Sequence, residues 1–226
     1  MPCAKCDDDG LIFSGNEAVQ CECVAEKVRL RYLSEAQIPK LYADAQVKAI
    51  RDPEVQRIAR SMVAECSNQR ERGGLLITGT LGTGKTYLAV AVLRSMIYKS
   101  SSRGLFASVG DMFADIKASF GKPGASDAVA RYIQVPILAL DDLGAENATE
   151  WGFDTLGQVL AERYAHCRPT ICTTNYKHVG IGKPDSLADR IGMRAWDRLK
   201  ASTVHVDMVG PSLRIVSRST DVVGAR

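Results

Sequence analysis

Residues 79–86 read Gly79-Thr80-Leu81-Gly82-Thr83-Gly84-Lys85-Thr86, and they match the pattern G-x-x-x-x-G-K-[ST] at every required position. Each residue type has a physical reason to be there. Glycine lacks a Cβ, so the backbone at Gly79, Gly82 and Gly84 can turn tightly and aim its N–H groups inward. Those groups, with the N-terminus of a following helix, form a cradle for phosphate oxygens. Lys85 would reach the β- and γ-phosphates of ATP, and the Thr86 hydroxyl would ligate Mg²⁺. A glycine-rich turn that binds nothing has no use for the Lys-Thr pair.

The flanks agree with the motif. Leu75-Leu76-Ile77-Thr78 is a short apolar run after Gly73-Gly74, which suits a buried parallel strand. Tyr87 to Lys99 carries Leu88, Ala91, Val92, Ser95 and Met96 at helical spacing. Strand, loop and helix therefore follow in the required order. Thr80, Leu81, Thr83 and Tyr87 complete the expected nucleotide-contacting stretch.

A second signal lies downstream. Val135 to Leu140 (VPILAL) is an apolar strand running straight into Asp141-Asp142. A carboxylate at a strand's C-terminal end, of the Walker B type, places Asp141 where it can hold Mg²⁺ and its waters. ATPases of this class usually carry Glu at the next position, where it polarises the attacking water. Asp142 is shorter by one methylene, so slow hydrolysis is one expected consequence. Glu146 is a more distant substitute.

The remaining elements fill in around these two. Asp52-Pro53 suits a helix start, with Val55, Ile58, Ala59, Met62, Val63 and Cys66 on one face. Leu105 to Val109 reads as a strand. Gly110-Asp111 then opens a helix through Phe120, and Asp127 to Ile133 forms a shorter one. Phe113 and Ile116 are expected in the core. Lys117 and Phe120 either pack there or reach nucleic acid, one by charge and one by stacking. Thr149 to His166 is a helix, and Thr170 to Thr174 a strand ending at Asn175. A polar residue at that strand tip faces the γ-phosphate in AAA+ proteins. Asn175 is thus either such a sensor or a turn-capping Asn. Leu187 to Leu199 is expected as one helix, with Arg194 and Arg198 on a shared face. They are solvated charges or arginine fingers acting on a neighbouring subunit's ATP. Thr203 to Asp207 is the last strand.

Strands alternating with helices predict an α/β fold with about five parallel strands, doubly wound. No helical lid of the kind many AAA+ proteins carry is expected after Arg214. The stretch from Ser217 to Arg226 is polar and expected to fray.

The composition permits this reading and excludes others. With 226 residues and 46% hydrophobic content, a sizeable core is available and global disorder is excluded. A net charge of +3 permits nucleic-acid binding without arguing for it. No apolar run approaches the roughly 18–20 residues of a membrane span. The N-terminus, MPCAKCDDDG, is unlike a signal peptide. The expected compartment is the bacterial cytosol, or the host cytosol for a phage-encoded protein, and no membrane partner is expected. Cysteines there are reduced, metal-bound or buried.

Four of the seven cysteines fall in the first 23 residues, as Cys3, Cys6, Cys21 and Cys23. Two close pairs joined by a short loop offer four thiolates to a structural Zn²⁺. The intervening stretch suits a small hairpin, and so small a module would rely on the metal to fold. Val24 to Gln37 is expected as a helix leading out of it. Cys66, Cys167 and Cys172 read as small buried hydrophobes.

Taken together, GTLGTGKT, ILALDDLGAE, ICTTN and AWDRLK…GPSLR resemble the DnaC/DnaI family of bacterial and phage replicative helicase loaders over about residues 36 to 215. These are AAA+ ATPases of the initiator clade, and the DnaI branch carries an N-terminal zinc domain. The resemblance implies Lys85 and Thr86 at ATP–Mg²⁺, Asp141 and Asp142 as the Walker B pair, and Asn175 as sensor. It implies Arg198 as arginine finger with Arg194 beside it, and Arg214 as a C-terminal sensor arginine. The inserted helices 111–133 match those lining a single-stranded DNA path, which puts Lys117 and Phe120 there with Thr149 and Trp151. The implied partners are a replicative hexameric helicase, single-stranded DNA, and further copies of the chain joined through an intersubunit ATP site. The implied layout is a zinc-binding, helicase-contacting module with its linker helix at 1–40, an ATPase domain at 41–215 and a flexible tail at 216–226. The N-terminal region is shorter than in the cellular loaders, and a phage or plasmid origin would fit that compact size. An IstB-type transposition ATPase acting on duplex DNA shares the fold and the Asp-Asp motif. A zinc-ribbon nucleic-acid adaptor with a vestigial ATPase site is the reading from another class.

Overall fold

The computed structural model of the chain describes residues 3–14, 17–65, 73–123, 125–145, 149–177 and 186–213. A hairpin of β1 (Leu11–Ser14) and β2 (Glu17–Gln20) pairs antiparallel, with Ile12 opposite Val19. It leads into α1 (Glu22–Glu35). After two single 3₁₀ turns comes α2 (Pro53–Glu65), capped by the Asp52 carboxylate, which accepts the N–H groups of Glu54 and Val55.

The rest alternates: β3 (Gly74–Gly79), α3 (Lys85–Ser100), β4 (Gly104–Ser108), α4 (Val109–Ser119), α5 (Ala125–Gln134) and β5 (Ile137–Asp141). Then follow α6 (Glu150–Ala165), β6 (Thr170–Thr173), α7 (Leu187–Ile191), α8 (Met193–Ser202) and β7 (Thr203–Met208). The five strands β3 to β7 form one parallel sheet in the order β4-β5-β6-β3-β7. The expected doubly wound sheet is the observed one.

Both faces of the sheet are covered, which is why its strands read as unbroken apolar runs. Leu75, Ile77, Ala139 and Ile171 face α2, α3 and the segment 36–50. Leu76, Leu138, Leu140 and Cys172 face α4 to α8. The switch points of this winding leave the phosphate loop, the Asp141-Asp142 turn and the end of β6 together at the C-terminal edge.

α1 is docked on the α/β core. Tyr98 Oη donates to Glu26, Arg29 Nε donates to Ser101 Oγ, and the Phe106 N–H donates to the Ala36 carbonyl. Ala36 itself is fully buried in the core.

Several expectations shift. The helix from 187 breaks at Gly192, whose φ of 81° leaves the helical region and starts α8. Val109 belongs to α4, because Ser108 accepts the Asp111 N–H and caps the helix there. α1 begins at Glu22, so Cys21 is its N-cap and Cys23 lies in its first turn. Cys172 is buried as expected, and burial pushes its thiol up to about 12. Cys167 is exposed, because it takes φ 51° in the turn that ends α6. Cys66 and Glu146 lie outside the described residues.

The sequence did not announce Arg163. This α6 side chain is 1% exposed, and its guanidinium donates to the carbonyls of Tyr132, Ile133, Val135, Pro136 and Pro169 and to Thr170 Oγ1. It ties the end of α5 to the starts of β5 and β6.

Candidate functional site

The phosphate loop closes through the conformations that glycine permits. Gly82 and Gly84 have φ of 81° and 94°, and a Cβ on Gly82 would stand 2.1 Å from Ser212 Oγ. The segment after β7 therefore lies directly on the loop, and the Leu213 N–H donates to the Gly82 carbonyl at 2.8 Å. Lys85 is 6% exposed, and its ammonium donates to the carbonyls of Gly79 (2.9 Å) and Thr80 (2.7 Å). Thr83 Oγ1 braces the loop by donating to the Thr80 carbonyl.

Across the sheet edge, Thr86 Oγ1 lies 3.0 and 3.1 Å from the two oxygens of Asp141. Thr173 Oγ1 donates to Asp141 Oδ1 at 2.6 Å. Burial pushes the Asp141 carboxyl above its ordinary value, and the Thr173 hydroxyl opposes that. Asp142 is exposed with φ 58°, and Asn175 Nδ2 donates to its Oδ1 at 3.3 Å. A hydroxyl and a carboxylate converging beside a phosphate loop fit Mg²⁺, a hard cation that takes oxygen ligands.

A cleft of about 690 Å³ opens above these groups, lined by Leu81, Lys85, Thr86, Tyr87, Asp142 and Asn175 among others. A second, largely apolar cleft of about 380 Å³ adjoins it between Ile50, Tyr87, Met208 and Pro211. The two share Gly84, Tyr87 and Leu213. A cleft that presents Lys85 and Thr86 for phosphates, joined to an apolar site for a base, is the shape that a nucleotide needs. Sequence reasoning missed Thr173, Ile50 and the 208–213 segment, which come from elements distant along the chain.

Arg194 and Arg198 line neither cleft. They lie on α8 against α6, where Arg198 pairs with Asp197 and stacks 5.5 Å over Tyr164. The site is thus built without either arginine from its own chain. Arg214 lies outside the described residues.

The four nucleic-acid candidates come together. Thr149 Oγ1 accepts the Gly152 N–H and caps α6, which puts Trp151 in its first turn. Phe113 and Phe120 meet the Trp151 ring edge-on at 5.2 and 5.9 Å, and the Lys117 ammonium stands 4.7 Å from its centroid. Phe120 is 56% exposed.

The N-terminal thiols also converge. Cys3, Cys6, Cys21 and Cys23 place their sulfurs within 4.8 Å of one another, with Cys3–Cys21 at 3.8 Å and Cys6–Cys23 at 3.4 Å. Zn²⁺ with bonds of about 2.3 Å needs tetrahedral sulfurs about 3.8 Å apart, so the set fits that ion. The thiols do not ionise alike. A backbone N–H at Lys5 holds Cys3 down to about 7, whereas its contact with Cys6 pushes Cys23 up to about 12. Four sulfurs this close are the donor set that a structural metal ion would take. Among the described residues no helix is long and apolar enough to cross a membrane.

Comparison with known proteins follows this geometry. The family of IstB-like ATP binding proteins matches residues 25–220. The replicative helicase loader DnaI of Bacillus subtilis is 30% identical over 111 residues, covering 48% of this chain and 35% of the loader. An insertion-sequence ATP-binding protein of Mycobacterium tuberculosis is 24% identical over 143 residues, covering 62% of this chain and 55% of that protein. The chain thus spans from about a third to little more than half of the curated relatives it matches. A crystal structure of the DnaC helicase loader superposes with a TM-score of 0.64 at 27% identity, over 75% of this chain and 99% of the other.

Proposed function

The chain belongs to the IstB-like ATP binding protein family, and from that premise we propose that it is an ATP-dependent helicase loader of the DnaC/DnaI type. ATP binds across the two clefts, its phosphates on residues 79–86 and its base between Ile50 and Tyr87. Thr86 and Asp141 hold Mg²⁺, which when bound neutralises phosphate charge. Asp142 polarises the attacking water, and Asn175 holds the Asp142 carboxylate in place. Hydrolysis to ADP and phosphate is slow. It is completed by Arg198, with Arg194 beside it, from a neighbouring copy of the chain, and Arg214 acts as the C-terminal sensor. Residues 1–40, folded around Zn²⁺ on the four cysteines, contact a replicative ring helicase. Residues 41–215 form the ATPase domain, and 216–226 are a tail outside the described residues. The protein works in the bacterial cytosol, or in the host cytosol if phage-encoded.

The observation that carries the loader reading is the cluster of Lys117, Phe120 and Trp151. An aromatic ring with a cation beside it binds single strands without reading sequence, because every base has a π-face. Thr149 fixes the helix start that presents it. Fluorescence anisotropy with labelled oligonucleotides, in a slowly hydrolysed ATP analogue, tests this. Single strands should bind at least tenfold tighter than duplex.

The family match and the mycobacterial relative favour a second reading, an IstB-type transposition ATPase acting on duplex DNA with a transposase. A preference for bent duplex in the same assay would select it. The third, a zinc-ribbon adaptor with a vestigial ATPase site, would be favoured by failure to bind labelled ATP or by an ATPase rate that is unchanged in Lys85→Ala.

A further inference from the structure

Thr173 ends β6 with its side chain 1% exposed, and its hydroxyl is used twice. It donates to Asp141 Oδ1 at 2.6 Å and accepts the Asp142 N–H at 3.0 Å. The strand end is laced further to the same turn. The Leu143 N–H donates to the Thr173 carbonyl at 2.8 Å, and Thr174 Oγ1 donates to the Leu143 carbonyl at 2.7 Å.

Two consequences follow for the acids. Asp141 receives two hydroxyls, from Thr86 on one side and Thr173 on the other, which together fix the rotation of its carboxylate. Asp142 holds φ 58°, a left-handed conformation that Asp tolerates better than most residues but that still gains from an outside restraint. The Thr173 hydroxyl supplies it by accepting the backbone N–H.

We propose that Thr173 is a positioning residue that sets both Asp141 and Asp142 through one hydroxyl. It presents Asp141 to Mg²⁺ and aims Asp142 into the cleft. This rests on reading the cleft as an ATP–Mg²⁺ site. A serine has the same hydroxyl without the methyl group. A valine has the same shape without the hydroxyl. Hydrogen-bonding control and mere packing therefore predict opposite results from the two substitutions.

The test measures binding of fluorescent ATP to the full chain in EDTA and in Mg²⁺, then turnover and the melting temperature, for wild type, Thr173→Val and Thr173→Ser. In EDTA the phosphate loop alone is read, and all three should bind within about twofold. Mg²⁺ should tighten binding to wild type and to Thr173→Ser. Thr173→Val should lose that gain by about tenfold, as residues behind metal ligands do, and hydrolyse about tenfold slower or worse. If Thr173→Val does not fold, Thr173→Ala takes its place with the same expectations. A Val or Ala variant that keeps the Mg²⁺ gain overturns the proposal. So does a Ser variant as impaired as Val, which would make the methyl's packing decisive. A wild-type chain that binds no ATP under either condition overturns the ATP-site reading along with it.

Discussion

The nucleotide cleft and the four-cysteine module are built on opposite principles. Beneath the cleft, five parallel strands are buried on both faces, and the acids at their ends are held by hydroxyls and backbone groups. In the module the buried side chains among the described residues of 3–23 are Cys6 and Cys21, while Leu11, Phe13 and Val19 stand 43%, 70% and 58% exposed. The first region is stable because of apolar area. The second has too little of it, and on our reading its four sulfurs make up the difference by holding an ion. One chain thus joins a body with a large apolar core to a small cysteine-rich hairpin that leads into the docked helix α1.

Removing the metal should break the comparison most visibly. Structural Zn²⁺ supplies roughly 10–16 kcal/mol at neutral pH. A strong chelator, or Cys21→Ser, should unfold residues 3–23 and expose them to protease while the core keeps its melting transition. Elemental analysis should find one zinc per chain. A metal-free preparation with an unchanged protease pattern would contradict this.

The reverse experiment weakens the core and spares the module. Arg163→Met leaves several buried carbonyls without a donor and should cost about 3 kcal/mol. Chemical denaturation reads the loss, and zinc content should not change. Equal stability in the two proteins would mean that the carbonyls find other donors.

Legibility in the sequence divides along the same line. The phosphate loop, the run into Asp141 and the cysteine spacing were readable because each is local. Thr173 was read only as part of a strand, since its partners sit 31 and 32 positions away. Arg163 looked like one more charge on a helix, and only the fold brings the ends of α5, β5 and β6 to it. Gly192 sat within a helical pattern, and the pattern outweighed it. Cys167 reads as buried from the apolar pattern of the helix before it, whereas the turn that ends α6 leaves it exposed.

Smaller effects sharpen the comparison. Trp151→Ala should weaken single-strand binding by roughly 1–3 kcal/mol, read by anisotropy, with ATP affinity unchanged. If strand affinity is retained, the DNA path lies elsewhere. Phe13→Ser is expected to change stability by no more than about 0.5 kcal/mol, because the ring is already in water. A larger loss on thermal melting would mean that the hairpin has more core than its exposure indicates.

The most direct measurement of the central claim is capture of the host's replicative ring helicase by the full-length chain in a slowly hydrolysed ATP analogue. The loader reading predicts that the helicase is retained with the analogue, released with ADP, and lost in Lys85→Ala. Retention of a transposase in its place, or no helicase in any nucleotide state, would contradict it.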